Sequence, residues 1–199
     1  MSRVTAEVRW FWPGPIPRDL QDWFKSSSHW LGPVSSETRV DEYLRQGSQK
    51  DLGIKRRNGL VEIKGLVANE RHAVAFVNCE SVITLWSKWS TRSLDLSRSA
   101  LIPIRKHRLL RRFIRGHAGI VETAAGNPRP ANGCDFEITA LEGPESSRWW
   151  TLGFESSGPL GEVELNLVAT VVLVGDYDPP KIESGIAQSY PGWLADRSW

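Results

Sequence analysis

The chain has 199 residues, of which 40% are hydrophobic and 24% are charged, with 17 Gly and 12 Pro. This composition excludes disorder over most of the length and is typical of a globular protein. The most apolar stretch, residues 163–174, is too short to cross a membrane as a helix. We therefore expect a cytoplasmic protein without a membrane span or a signal peptide.

Charge is distributed unevenly along the chain, although the formal net charge is only +2. Residues 1–116 carry 21 Lys and Arg against 11 Asp and Glu, whereas residues 117–199 carry 4 against 12. Arg accounts for 18 of the 25 cations. Because the planar guanidinium group favours bidentate contacts with carboxylates and phosphates, this usage indicates an anionic ligand, although basic faces are often merely solvated.

The first half of the chain predicts mainly strands. Residues 5–12 alternate, with Thr5, Glu7 and Arg9 on one face and apolar side chains on the other. A short helix is predicted over residues 17–25. Asn58 and Gly59 indicate a tight hairpin turn, because both tolerate a positive φ. Further strands are predicted over residues 37–45, 51–57, 60–67 and 81–90.

The second half combines one clear hairpin with predicted helices. Residues 135–141 and 149–155 alternate on either side of a Gly-Pro turn, while residues 116–132 are rich in Gly, Ala and Pro and predict an exposed loop. Helical spacing runs from about residue 160 to 174, and a final helix is predicted over about 181–196. We expect one domain, residues 1–199, built as a mainly antiparallel α+β fold with C-terminal helices from about 160.

Charged residues recur in pairs at i and i+2 on these strands, and such residues share one face. The pairs are Glu7/Arg9, Lys55/Arg57, Glu62/Lys64, Lys106/Arg108 and Asp135/Glu137, with Asp41, Lys88 and Glu155 alone in comparable places. An antiparallel sheet with a polar face towards water would explain this pattern. A closed barrel of about eight strands with a charged lumen would explain it too, and such a barrel can hold one small ligand. Because buried charges need partners, a polyphosphate with Mg²⁺ would complete the network.

The order of these pairs resembles the CYTH-like, or triphosphate tunnel metalloenzyme, superfamily, over roughly residues 4–156. Thr5-Ala6-Glu7-Val8-Arg9 is similar to the family's Glu-x-Glu-x-Lys strand, with Thr5 in place of its first Glu. Asp41-Glu42-Tyr43 looks like the family's Asp-x-Tyr segment. Its basic and late acidic strands are matched by Lys55-Arg56-Arg57, Glu62-Ile63-Lys64, Lys106-His107-Arg108, Asp135-Phe136-Glu137 and Glu155.

The resemblance implies an eight-stranded barrel that binds a small triphosphate or inorganic polyphosphate with Mg²⁺ or Mn²⁺. The activity it implies is metal-dependent hydrolysis of that ligand. It implies phosphate binding by Arg9, Lys55, Arg57, Lys64, Lys106 and Arg108. It implies metal binding by Glu7, Asp135, Glu137 and Glu155. No catalytic residue is predicted, because Thr5 replaces a carboxylate of the family's hydrolytic centre. The alternative is a catalytically inactive barrel that serves as an anion-binding or protein-interaction module.

Residues 105–115 hold six cations and no acid, and they are compatible with either a strand or a helix. A helix here would be amphipathic and could lie on nucleic acid, whereas a strand would direct Lys106, Arg108 and Arg112 to one face. We favour the strand and therefore do not expect nucleic-acid binding. The histidines lack zinc spacing, and Cys79 and Cys134 are expected to be reduced core residues.

Overall fold

The computed structural model describes residues 3–125 and 130–197, apart from the side chains of residues 69–71. The strands are β1 (Arg3–Pro13), β2 (Ser35–Leu44), β3 (Leu52–Arg57), β4 (Leu60–Phe76), β5 (Cys79–Thr91), β6 (Leu101–Gly116), β7 (Gly119–Thr123), β8 (Gly133–Glu142), β9 (Arg148–Ser157) and β10 (Ile186–Ala187). The helices are α1 (Arg18–Ser26), α2 (Val163–Gly175) and α3 (Tyr190–Ala195), with a 3₁₀ turn at Pro144–Ser146.

Eight of these strands close into an antiparallel barrel. Around the barrel the order is β1-β5-β4-β3-β2-β6-β8-β9, and β9 pairs with β1 over nine residues to complete the circle. Two strands lie outside this ring: β7 pairs with β6, and β10 pairs with β1. The predicted α+β fold with a closed eight-stranded barrel is therefore confirmed.

The alternating pattern of β1 explains how the wall is built. The even-numbered side chains of Ala6, Val8, Trp10 and Trp12 are buried in an apolar cluster on the outer face of the wall. The side chains of Glu7 and Arg9 point the other way, into the barrel. Because the period of a strand is two, a single strand can separate a charged interior from an apolar exterior.

Helices α1 and α2 cover this apolar exterior. Leu20 and Phe24 of α1 are fully buried, and so are Val163, Leu167 and Val174 of α2. They pack with strand residues such as Phe136 and Phe154, whose rings stack at 4.5 Å between centroids. Burial of apolar surface thus occurs outside the barrel wall, in the layer between strands and helices.

Several local predictions are confirmed by the backbone. Asn58 and Gly59 have φ values of 51° and 72°, as a tight hairpin turn between β3 and β4 requires. Residues 105–115 form part of β6, so their extended alternative is correct. Cys79 and Cys134 are both buried and belong to no disulfide among the described residues.

Two predictions were wrong. Residues 116–132 were expected to form a loop, but β7 lies within them because Gly116 and Gly119 reverse the chain and let residues 119–123 extend the β6 ladder. Residues 126–129 of that predicted loop lie outside the described residues. The helix predicted over about 181–196 is short, because Ser189 caps α3 by accepting a hydrogen bond from the Gly192 amide, and the preceding residues pair with β1 as β10.

The helix predicted from about residue 160 is α2, which begins only at Val163, and Leu160 is exposed. None of the described helices has the length and the apolar content that crossing a membrane would require.

Helix α3 closes one end of the barrel, which we call the floor. Tyr190 and Trp193 of α3 pack on Phe11 of β1, with ring centroids 5.3 and 4.9 Å from that of Phe11. Tyr43 stacks on Tyr190 at 5.9 Å. A separate hydrophobic cluster around these four rings also contains Ile102, Ile104 and Leu141.

Candidate functional site

The barrel encloses a cavity of about 670 Å³, which we call the lumen. Ten cations and five carboxylates line it. The ten residues that were predicted to bind phosphate or metal are all among the lining residues: Arg9, Lys55, Arg57, Lys64, Lys106, Arg108, Glu7, Asp135, Glu137 and Glu155. Their roles in phosphate and metal binding stay predictions, but the structure brings their side chains together in one enclosed space.

Five further charged residues line the lumen, to which the sequence analysis assigned no role in binding: Arg3, Arg39, Glu62, Lys88 and Arg112. Glu62, Lys88 and Arg112 had been noted as charges on the predicted strands, whereas Arg3 and Arg39 were missed. Asp41 adds a sixth carboxylate to the same network, because it pairs with the lining residues Lys55 and Lys106. Alternation was the available signal: Arg39 follows Glu37 and precedes Asp41 at intervals of two on β2, so all three share a face.

Asp41 is the centre of the deepest part of the network. Its carboxylate lies 3.0 Å from the Lys55 ammonium, 3.1 Å from that of Lys106 and 3.2 Å from Arg39 Nε. Burial alone would raise the pKa of Asp41, but the charges of Lys106, Lys55 and Arg39 outweigh it and hold the pKa far below its ordinary value. Asp41 therefore stays ionised and holds three strands together.

Lys106 lies between Asp41 and two tyrosines. Its ammonium donates a hydrogen bond of 2.6 Å to the Tyr43 hydroxyl and lies 3.6 Å from the centre of the Tyr190 ring. Burial lowers the pKa of Lys106 well below its ordinary value, although Asp41 opposes this shift. The aromatic rings of the floor thus contact Lys106, whose charged form is destabilised by burial. An anion beside Lys106 would favour its charged form.

Arg9 joins a carboxylate of its own strand, β1, to a carboxylate of β8. Its guanidinium lies 3.0 Å from Glu7 and 2.8 Å from Glu137. Gly153 of β9 makes room for it, because a Cβ at that position would lie 2.7 Å from Arg9 Cζ. Glu137 also pairs with Arg108. Burial raises the pKa of Glu137, but the charges of Arg108, Arg9, Arg39 and Lys106 together outweigh burial and hold the pKa below its ordinary value.

Glu7 and Lys64 form another buried ion pair in the lumen. Their charged atoms are 3.0 Å apart, and the Lys64 ammonium lies 4.2 Å from the centre of the Trp86 ring. Burial would raise the pKa of Glu7, yet Lys64, Arg9 and Lys88 lower it to about 2. Burial lowers the pKa of Lys64 to about 8, even with Glu7 beside it.

The opposite end of the lumen, the mouth, is formed by Arg3, Arg57, Lys88 and Ser90. Lys88 pairs with Glu155 at 2.7 Å, and Arg57 pairs with Glu62 at 2.5 Å. These side chains are 20–30% exposed, whereas those of Arg9, Lys106 and Asp41 are at most 3% exposed. The charge network is therefore partly hydrated at the mouth and dry at the floor.

Three of the four predicted metal ligands are neighbours on the barrel wall. Glu155 lies directly opposite Glu7 on one side and Asp135 on the other. Each carboxylate, however, is directed at a cation: Glu7 at Lys64, Glu155 at Lys88, and Asp135 at Arg112 at 2.7 Å. Within the described residues no three Asp, Glu, His or Cys side chains are grouped so that they could hold a metal ion. In this arrangement the carboxylates do not fit a resident metal.

Two buried hydroxyl groups of the wall lack a hydrogen-bond partner among the described residues. They belong to Thr5 and Thr139, which line the lumen. Thr5 stands where the resemblance places a carboxylate, and Thr139 lies opposite Arg108 in the β6–β8 ladder. Buried hydroxyls are normally hydrogen-bonded, so each of these two groups can donate or accept one further bond on the lumen side of the wall.

The cations of residues 105–115 do not form one basic surface. Lys106, Arg108 and Arg112 line the lumen. Arg111 points outwards and is buried beneath α1, where it bonds to the Phe24 carbonyl at 2.9 Å and to Glu122 at 2.6 Å. The strand thus divides these charges between its two faces.

The fold and site together define a closed antiparallel β-barrel with a charged lumen and an aromatic floor. A comparison with known protein families finds no match for this sequence. A search of curated proteins finds no match either. The resemblance to triphosphate tunnel enzymes stays a prediction, because a barrel alone does not identify that superfamily.

Proposed function

We propose that the lumen binds a small polyanion, with a triphosphate or inorganic polyphosphate as the expected class. The observation that supports this proposal is the surplus of positive charge inside a closed wall. Ten cations line the cavity with five carboxylates, and Asp41 adds a sixth. Cations in a confined space attract an anion strongly, because field lines are concentrated there and water screens the charges poorly.

The protonation of the network supports the same proposal. Lys64 and Lys106 both have a lowered pKa, with burial as the largest cause, so the lumen is costly for its own cations. A bound polyanion would favour their charged forms and raise both pKa values. Arg108, Arg57 and Arg39 have guanidinium groups whose several donors suit phosphate oxygens.

Hydrolysis is a separate hypothesis, which rests on the resemblance. The predicted Mg²⁺ or Mn²⁺ has no ready site, since the carboxylates are engaged by cations and Thr5 replaces a carboxylate. Binding of a polyanion requires neither a metal site nor a carboxylate at position 5. The function that the geometry supports best is therefore binding of the polyanion, with turnover left to experiment.

The test is the melting temperature and calorimetric affinity of the protein with sodium tripolyphosphate, with orthophosphate as the reference anion. We expect tripolyphosphate to raise the melting temperature and to bind far more tightly than orthophosphate. Lys88→Gln, at the mouth, should weaken binding about tenfold or more, because a hydrogen bond to a charged group contributes about 1.5–3 kcal/mol. Lys181→Gln, an exposed lysine outside the barrel, is the matched control.

Absence of any effect of tripolyphosphate would contradict the proposal. It would favour the second candidate, a protein-interaction module whose charge network is purely structural, and this candidate is supported by the carboxylate partners of Lys55, Lys88 and Arg108. Phosphate release in the presence of Mg²⁺ or Mn²⁺, with Glu137→Gln as the comparison, separates turnover from binding. Equal release by the two proteins would exclude hydrolysis by this site.

A further inference from the structure

Helix α2, on the outside of the barrel wall, buries its uncharged polar side chains and exposes apolar ones. Asn166 and Thr170 are fully buried. The Asn166 amide donates a hydrogen bond of 3.2 Å to the Ser157 carbonyl, and the Thr170 hydroxyl donates one of 2.7 Å to the Asn166 carbonyl. A surface helix of a globular protein normally has its polar side chains towards water. Helix α2 therefore has one apolar face towards the barrel and a second one towards solvent.

The second apolar face, which we call the outer stripe, consists of Leu165, Val168 and Val172. These side chains are 60%, 37% and 60% exposed. Their spacing of three and four residues places them in one row along the helix. Single exposed apolar residues are normal on a protein surface, but a row at this spacing is the pattern by which one helix packs against another. The outer stripe thus has the geometry of a surface that receives a helix.

Acidic residues lie at both ends of the outer stripe. Glu164 is one turn before Val168, and Asp176 is one turn after Val172. Residues 149–180 contain no Lys or Arg. The C-terminal end of a helix carries a partial negative charge that favours cations, yet α2 has no basic residue in its last turn and ends on Asp176 as its C-cap. The stripe is therefore flanked by negative potential at each end.

Basic groups from the neighbouring strands do not cancel this potential. Arg115 of β6 is hydrogen-bonded to Asn166 at 2.5 Å and lies 3.9 Å from Glu162, so its charge is already matched. His72 of β4 lies 3.4 Å from Glu164. Asp176 has no basic partner in the described part of the chain. Carboxylates thus outnumber basic groups around α2, and they are spread over both of its ends.

We propose that the outer stripe docks an amphipathic helix of a partner protein, in which Lys or Arg flanks an apolar row at both ends. Glu164 and Asp176 are 12 residues apart, which is about 18 Å along a helix. Cations of the partner at a similar separation meet both carboxylates and fix the register of the apolar contact. An interface of this size is typical of a transient complex. The inference is independent of what the lumen binds.

Charge complementarity argues against the other occupants of such a face. Two-fold pairing of α2 with a second copy brings Glu164 of each chain towards either Asp176 or Glu164 of the other, so that like charges meet. Nucleic acid and anionic membrane surfaces are bound through Lys and Arg, which residues 149–180 lack. A cationic helix is the partner whose charges match the two ends of the stripe.

The probe is a fluorescently labelled synthetic helical peptide of about 18 residues, with a row of leucines and with lysines at both ends. A second peptide has the same leucines and glutamates in place of the lysines. Binding to the full chain is measured by fluorescence anisotropy. We expect the lysine peptide to bind at least about tenfold more tightly than the glutamate peptide. Equal affinities, or a preference for the glutamate peptide, overturn the proposal.

Variants of the stripe show whether the peptide binds there. Val168→Ser/Val172→Ser should weaken binding of the lysine peptide at least about tenfold, because two apolar side chains lose their contacts with it. The matched control is Val40→Ser/Val67→Ser, which makes the same changes on β2 and β4 at residues that are 41% and 57% exposed. The control should bind as the wild type does. If the two double variants bind alike, the proposal is overturned.

The acidic ends are tested without any change to the apolar row. Glu164→Gln/Asp176→Asn should weaken binding of the lysine peptide about threefold or more and should reduce its dependence on salt. An affinity and a salt dependence equal to those of the wild type overturn the proposal.

Sedimentation of the protein alone and with anionic lipid vesicles tests the competing occupants. We expect neither self-association nor vesicle binding that depends on the outer stripe. Dimerisation that is abolished by Val168→Ser/Val172→Ser would assign the stripe to a second copy, and vesicle binding abolished by the same variant would assign it to a membrane surface. Either result overturns the proposal and leaves polyanion binding in the lumen unaffected.

Discussion

The floor and the mouth of the lumen use the same residue types in different surroundings. At the floor, Asp41 is fully buried and touches three cations, with aromatic rings beside them. At the mouth, Glu62 is 24% exposed and pairs with Lys55 and Arg57. The floor network cannot exchange its partners for water, whereas the mouth network can.

This difference shows that the role of a charged side chain depends more on how deeply it is buried than on its residue type. Breaking a buried ion pair leaves a charge without compensation, but a partly exposed pair is replaced by water at small cost. We therefore expect the floor to contribute mainly to stability and the mouth mainly to the selection of ligands. Three measurements can break or sharpen this comparison.

The largest effect is expected for Asp41→Asn. Asparagine keeps the shape of the side chain but leaves Lys55, Lys106 and Arg39 without their shared carboxylate. The free energy of unfolding should fall by about 3–5 kcal/mol, as for other buried pairs that lose one partner. It is measured by urea denaturation without added phosphate.

The matched change at the mouth is Glu62→Gln, for which the loss should be about 1 kcal/mol or less because water replaces the carboxylate. Equal losses for the two variants would show that floor and mouth do not differ in the way proposed.

The second effect is acid destabilisation through Glu7. Its pKa in the folded protein is about 2 against an ordinary value of 4.5, so the unfolded chain binds the proton more readily. The resulting stabilisation is complete above pH 4.5, is lost as the pH falls towards 2, and amounts to about 3 kcal/mol. Urea denaturation across this window should give a smaller pH dependence for Glu7→Gln than for the wild type. If the stability of the two proteins depends on pH in the same way, Glu7 is not the source of the acid destabilisation.

The smallest effect concerns the packing of α3 against β3. Gly53→Ala places a methyl group against Pro191 and should destabilise the protein by about 1–3 kcal/mol through overpacking. Gly65→Ala is the control, because the nearest atoms to its Cβ would be 4.0 Å away on Trp89. Thermal unfolding of the two variants measures the difference in stability. If Gly53→Ala is as stable as Gly65→Ala, α3 does not pack closely against Gly53.

The barrel wall could be predicted because each strand carries its own signal. Glu7 and Arg9 alternate with apolar residues, and Asn58-Gly59 fixes one hairpin turn, so both the direction of the charges and part of the connectivity follow from local sequence. Closure is a property of long-range pairing. The β1–β9 ladder joins residues about 140 positions apart and leaves no local trace.

The floor could not be predicted for the same reason. The aromatic residues of α3 suggest an amphipathic helix, but nothing near them indicates that Tyr190 would contact Arg9 and Lys106. Arg39 has the same alternation as the residues that were predicted. It was missed because short charged strands of this kind also occur on hydrated sheets, where the pattern is identical.

Gly153 offers a marker for comparing further sequences. The Arg9 guanidinium occupies the space that a side chain at position 153 would need. We expect substitutions at positions 9 and 153 to be linked during evolution. Glycine should be retained at position 153 wherever position 9 is arginine, and a larger residue should be tolerated there only where position 9 has a shorter side chain. A chain that keeps the strand pattern but breaks this link would have a differently shaped interior.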